Sequence, residues 1–294
     1  FGLALHFDPV NPQATIGAAK TLMELDSLES ALEFLADRRE NSPYKSELVH
    51  GFAEIYLSRG RYEQALEYAK LSLSLEKKDL SALKTEARAL KALERPTEAL
   101  RKIASYTVLN PTDPEGFFEY HEIAMSKKNY KLAREILDRL MIQHPKIPGT
   151  RTLLAELSLK LDKPTEALEF SKDEIKQNPK FIPGYVWTAK IFNNSGHVKN
   201  SMEVINRALA IDANDTNLLI EAGRTYWLSK SYPAAKSILE KAIAINPNAV
   251  AAYKFQGLVF RDSGDIEQGK IYFQKYLDIN PAAEDREEIL SYLK

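Results

Sequence analysis

The chain has 294 residues, 44% of them apolar, which is enough for two ordinary domains or one elongated array. Forty Lys and Arg stand against 41 Asp and Glu, a balance that argues against general affinity for nucleic acid or an anionic membrane surface. There is no cysteine, so disulfides and thiolate metal sites are excluded while either redox compartment stays compatible, and no run of about 18 apolar residues is present to cross a bilayer as a helix.

The opening stretch FGLALHFDP lacks the basic start of a secretory signal. Residues 1–11 read as the tail of a second helix from an earlier repeat, with Phe1 and Ala4 on its inner face, and the N-terminus reads as a cut, uncapped edge. From Pro12 onward the chain rewrites itself every 34 residues without insertion or deletion. Eight repeats start at 12, 46, 80, 114, 148, 182, 216 and 250 and end at Ala283. Position 32 is proline in six of them, including Pro111, Pro145, Pro179, Pro247 and Pro281. Position 20 runs Ala31, Ala65, Ala99, Ala133, Ala167, Ser201, Ala235 and Gly269, and position 8 is small in every repeat but one, which has His121. Two columns of small residues in one frame predict two backbones in close approach.

Each repeat predicts two helices. In the seventh, Leu219, Ala222, Gly223 and Tyr226 fall on one helical face, and Tyr232, Ala235, Leu239, Ala242 and Ile243 form a second stripe. Asn246-Pro247 ends it, because a residue before proline leaves the α region. Pro96 and Pro164 open second helices, where the missing N–H costs nothing. Residues 284–294, EDREEILSYLK, predict a last helix whose Ile289, Leu290 and Leu293 cover the end of the stack.

The period, the small residues at 8 and 20, the proline at 32 and residues such as Tyr253, Gly257, Phe260, Gly269 and Phe273 resemble the tetratricopeptide repeat family. The resemblance implies an all-α, right-handed superhelical solenoid of about eight helical hairpins plus a C-terminal capping helix. Some repeats break the pattern: Arg38 and Glu174 hold the usually small position 27, Ser158 and Ser171 sit at core columns, and Glu86 and His121 stand at positions 7 and 8. A charge in a core slot is costly unless paired, so these side chains are expected to reach out or find a partner, and His121 to be a packed histidine.

No phosphate-cradling loop, zinc-protease helix or nucleophile elbow occurs, so no enzyme, cofactor or metal site is expected. Two sequons, at Asn193 and Asn214, are short enough to arise by chance. The resemblance places function on the concave face lined by each first helix, at positions 2, 5, 6, 9, 12 and 13. Those columns hold His50, Glu54, Lys84, Arg88 and Glu119 in the first four repeats, and Asn193 and Glu221 in the last four. Both tryptophans fall there too. The expected peptide-binding residues are therefore Trp187, Trp227 and Phe255 as anchors, with Lys190, Asn194, Asn217, Arg224, Lys254 and Arg261 holding a segment's backbone or acidic side chains. A carboxylate clamp of the chaperone-binding kind needs Asn beside Lys84 or Lys254; Arg88 and Leu258 stand there instead. The leading expectation is a scaffold that binds a protein or peptide segment and helps assemble a complex. A docking or substrate-presenting arm of a larger enzyme or export machine, and self-association through the N-terminal end, are the alternatives. Cytoplasm and periplasm are both compatible.

Overall fold

The computed structural model describes residues 6, 8, 10–25, 27–40 and 42–293; Phe1 and Ala4, on which the reading of an earlier repeat rests, lie outside them. Among the described residues there are seventeen α-helices and no strand. The chain divides into two compact halves, Phe1–Pro145 and Lys146–Lys294. The N-terminal half holds four hairpins: α1 (Pro12–Leu25) with α2 (Leu28–Glu40), α3 (Lys45–Ser58) with α4 (Tyr62–Leu75), α5 (Leu80–Ala92) with α6 (Pro96–Leu109), and α7 (Pro114–Ser126) with α8 (Tyr130–Gln143). The C-terminal half holds α9 (Thr150–Lys160) with α10 (Pro164–Gln177), α11 (Ile182–Asn194) with α12 (Val198–Leu209), α13 (Thr216–Leu228) with α14 (Tyr232–Ile245), and α15 (Val250–Asp262) with α16 (Ile266–Ile279), closed by the cap α17 (Arg286–Leu293). Each half is a solenoid of helical hairpins.

The two small columns are the seam of every hairpin. All sixteen residues at positions 8 and 20 are buried, His121 among them. In the last repeat a Cβ on Gly269 would meet the Gly257 carbonyl at 3.1 Å and the Arg261 nitrogen at 3.2 Å. Backbone approaches backbone there, and a Cβ would have to push the two helices a few tenths of an ångström apart.

The turn between paired helices has its own column. Gly60, Glu94, Lys128, Asp162, Gly196, Lys230 and Gly264 all have positive φ, between 54° and 95°, and all stand at position 15 of their repeat. A left-handed residue there ends the first helix and starts the second.

Successive hairpins are tied by proline carbonyls. Tyr185 donates to the Pro179 carbonyl at 2.8 Å, and Tyr253 does the same to Pro247 at 3.0 Å. In the N-terminal half His144 Nε2 reaches the Pro111 carbonyl at 3.1 Å. The proline that stops one repeat thus offers its free carbonyl to a partner elsewhere in the stack. Apolar clusters complete the stacking: Ile175, Tyr185, Ile205 and Leu218 join four helices from α10 to α13, and Tyr253, Phe273, Leu277 and Ile289 seat the cap.

The irregular residues are accounted for. Arg38 lays its guanidinium 4.4 Å from the Phe34 ring centroid. Glu86 is buried and paired with Lys102 at 2.9 Å. Ser158 donates to Glu166 and Ser171 to the Leu168 carbonyl. His121 faces the Ala133 carbonyl through Nδ1 at 3.3 Å. Glu174 is fully buried, and its carboxylate accepts from the backbone N–H groups of Gly149, Arg151 and Thr152 and from the Asn178 amide. Asp79, Asp113 and Asp215 cap α5, α7 and α13 from the residue before the helix. At α9 that residue is Gly149, which has no side chain, and Glu174 supplies the missing acceptor from the second helix of the same repeat.

Candidate peptide-binding cavity

The first helices of repeats six, seven and eight, α11, α13 and α15, enclose a cavity of about 410 Å³. Its wall is apolar where Val186, Trp187, Ile220 and Phe255 meet, and polar where Lys190, Asp215, Asn217, Glu221 and Arg224 project. The volume and the mixture are those of a ligand site with a few polar groups set in an apolar surround. Trp187 is half-buried, and the Lys190 ammonium lies over its ring, 4.4 Å from the centroid. Arg224 is held from two sides: Nη1 donates to Glu221 at 3.2 Å and Nη2 to Asn194 at 2.7 Å. Its guanidinium carbon lies 5.9 Å from the Phe255 centroid.

Three stretches, 46–79, 216–249 and 250–282, match the model of the tetratricopeptide repeat. These three repeats are tetratricopeptide repeats, and the other five share their 34-residue period and their helical-hairpin fold. It is 20% identical over 280 residues to human tetratricopeptide repeat protein 7A, an alignment covering 89% of this chain and 32% of that protein, so the chain spans about a third of its relative. Among solved structures it is similar to a tetratricopeptide repeat protein from Parabacteroides merdae, with a TM-score of 0.68 at 15% identity over 84% of this chain and 98% of that one. It is also similar to a chain in the APC/C hetero-tetramer Cut9–Hcn1, with a TM-score of 0.63 at 12% identity over 94% of this chain and 55% of that one. Tetratricopeptide repeats generally mediate protein–protein interaction and complex assembly.

Within these repeats the expected site residues separate into two groups. Trp187, Lys190, Asn217, Arg224 and Phe255 line one cavity, and Asn194 touches it through Arg224. Trp227, Lys254 and Arg261 are engaged elsewhere. Trp227 donates from Nε1 to Asp262 at 2.8 Å and packs against Phe255, ring centroids 6.2 Å apart. Arg261 Nε donates to the other oxygen of Asp262 at 2.7 Å, and its guanidinium stacks on Tyr292 of the cap. Burial works to raise the Asp262 carboxyl, but these bonds outweigh it and hold it below the usual carboxylate range. Lys254 pairs with Asp285, which also accepts from Tyr276; burial and that bond push the tyrosine up to about 12.

Three residues expected on the open face are buried. His50 is covered and bonds Thr85 through Nε2 at 2.9 Å. Asn193 is 6% exposed and donates to Glu221 at 2.7 Å and Thr225 at 2.8 Å; the burial also removes it as a glycosylation acceptor in the folded chain. Glu221 is the third. Neighbouring first helices cover these positions, and a facing polar side chain bonds each of them, Thr85 for His50 and Asn193 for Glu221, while the Asn193 Oδ1 itself is left without a hydrogen-bond partner among the described residues.

The N-terminal half has a cavity of about 440 Å³ with a different lining, in which His50, Glu54, Lys84, Arg88 and Glu115 are prominent. Its charges are matched internally: Lys20 with Glu54, Lys84 with Asp113 and Glu119, Arg88 with Glu119 and Lys91 with Glu122. Burial works to lower the Lys84 ammonium, but its carboxylate partners raise it above the usual range. No group of three or more His, Asp or Glu able to hold a metal ion occurs among the described residues.

The sequence frame missed a compensation between columns. Position 27 is Tyr106 in repeat three and Glu174 in repeat five, and position 3 of the following repeat is glycine in both cases, Gly116 and Gly184. A Cβ on Gly116 would overlap the Tyr106 ring, and one on Gly184 would stand 3.1 Å from Glu174 Cγ. A large residue ten positions before a glycine was the signal that could have found it.

Proposed function

We propose that this chain is a protein-interaction scaffold whose C-terminal half grips a segment of a partner protein in the cavity between α11, α13 and α15. The observation that carries this reading is the lining itself. An aromatic floor from Trp187 and Phe255 stands beside the hydrogen-bonding side chains of Asn217 and Lys190, on helices fixed by a packed core. Buried aromatic anchors with a polar rim are where binding energy concentrates at protein interfaces. The scaffold contributes shape and preorganised contacts, and complex assembly follows from holding the segment in place.

Trp187→Ala tests it. The chain holds two tryptophans, and Trp227 lies outside the cavity lining, so Trp227→Phe leaves Trp187 as a single fluorescent reporter. Proteins captured from extract by the wild-type chain are expected to be lost by Trp187→Ala, and the captured segment to shift the emission of the Trp227→Phe variant. Capture unchanged by Trp187→Ala in a folded chain rejects the cavity as the binding site.

A further inference from the structure

We infer that this cavity selects a segment in which one carboxylate stands beside a large apolar side chain, with Lys190 as the residue that chooses the carboxylate; the inference rests on the binding reading above. It follows from a charge inventory. Four ionised side chains line the cavity, Lys190, Asp215, Glu221 and Arg224. Glu221 is buried and is answered by Asn193 and Arg224. Arg224 is answered by Glu221 and Asn194. Asp215 accepts the Leu218 N–H at 2.8 Å at the start of α13, where the partial positive charge of the helix N-terminus offsets it.

Lys190 is different. Its ammonium rests on the face of Trp187, and no carboxylate among the described residues stands within ion-pair distance of it. A cation on a ring is weakly compensated when the ring is half-exposed, and a concave site with apolar walls concentrates the field of an unmatched charge. The cations just beyond the cavity are already answered, Lys254 by Asp285 and Arg261 by Asp262. One anion, and not a string of them, is therefore the complement. The apolar floor of Val186, Trp187, Ile220 and Phe255 adjoins Lys190 in a cavity of about 410 Å³, so the carboxylate belongs within about two residues of the apolar anchor, given the rise per residue of an extended chain. An ammonium has no bidentate geometry to enforce, so an Asp or Glu side chain and a chain-terminal carboxylate both satisfy the chemistry.

Random dodecapeptide display against the full chain separates these sources, with one library tethered through the peptide C-terminus and the other presenting it free. Wild type is expected to enrich peptides with a large apolar residue within two positions of Asp or Glu in the first library, or at a free terminus in the second. A Lys190→Glu chain, shown to be folded by circular dichroism, is expected to bind those peptides about tenfold more weakly or worse and to enrich Lys or Arg instead. Peptides that bind wild type and Lys190→Glu equally, or that carry no carboxylate near the anchor while still requiring Trp187, overturn the selectivity and leave the binding cavity standing. Failure to enrich any peptide that Trp187→Ala loses overturns both.

Discussion

The Glu174 carboxylate and the Thr152 N–H meet at 3.2 Å inside the C-terminal half, joining the second helix of repeat five to the start of its first. The same oxygen takes the N–H groups of Gly149 and Arg151. An acid in a slot that usually holds a small residue is thus a displaced helix cap, needed because Gly149 offers no side chain. Glu174→Ala leaves the buried N–H groups of Arg151 and Thr152 and the part-buried one of Gly149 without this acceptor and opens a void, at a cost of roughly 2–4 kcal/mol. Glu174→Gln keeps the volume but halves the acceptor capacity and costs about 1–2 kcal/mol. Urea unfolding followed by circular dichroism measures both, and a loss under about 0.5 kcal/mol for the alanine variant contradicts the capping role.

Tyr106 and Gly116 form the equivalent pair in the N-terminal half. The phenol bonds Asp113, the cap residue of α7, and its ring fills the space a Cβ at 116 would need. Gly116→Ala is expected to destabilise by roughly 1–3 kcal/mol through overpacking. Tyr106→Ala is expected to cost more, through the cavity it leaves and the lost bond to Asp113. The double variant is expected to be less damaged than the sum, with a coupling of about 1 kcal/mol or more. Strict additivity would show that the two positions do not share the space.

The hairpins and their register were legible because small residues at positions 8 and 20 leave a signal in composition as well as in spacing. Ala65 and Ala99 are small for a reason that any neighbour of the same type repeats. The clustering of Trp187, Lys190 and Phe255 was also legible, since residues at equivalent positions on stacked first helices must face one side. The fates of Lys254 and Trp227 were not. Each is settled by a partner further along the chain, Asp285 in the turn before the cap, 31 residues after Lys254, and Asp262 at the end of α15, 35 residues after Trp227, and column position carries no record of that partner. His50 and Asn193 were misplaced for a related reason. Whether a column near the helix seam is open depends on the size and polarity of what faces it, Thr85 in one case and Thr225 in the other.

The left-handed column at position 15 gives a stabilising change. Lys128 closes the α7–α8 hairpin with φ at 54°, and glycine occupies the same turn in repeats two, six and eight. Lys128→Gly removes the clash between Cβ and backbone, worth about 1–2 kcal/mol, while giving the unfolded chain more freedom to lose, worth about 0.4–1 kcal/mol in the opposite direction. The net expectation is a gain of about 0.5–1 kcal/mol, read as a higher urea midpoint. A lower midpoint would mean that the lysine side chain contributes more than its strained backbone costs.

His50 makes the N-terminal half sensitive to acid. Burial is the largest influence on its imidazole and holds it below the ordinary value of 6.5; Lys20 acts in the same direction, while Glu54 and Asp79 favour the cation and only partly oppose them. In the unfolded chain the ring takes its proton near pH 6.5, whereas in the folded chain it resists to lower pH. The unfolded state therefore binds more protons through this window, and stability falls as pH drops from about 7 through the folded-state value. Above pH 7 the ring is neutral in both states and contributes no slope. His50→Gln, which keeps a polar partner for Thr85, is expected to lose this part of the acid dependence while other groups keep theirs. The ring Hε1 resonance of His50, followed by NMR against pH, is expected to titrate below 6.5. A midpoint above that value would show that Glu54 and Asp79 outweigh burial, and the slope of stability with pH from this residue would then have the opposite sign.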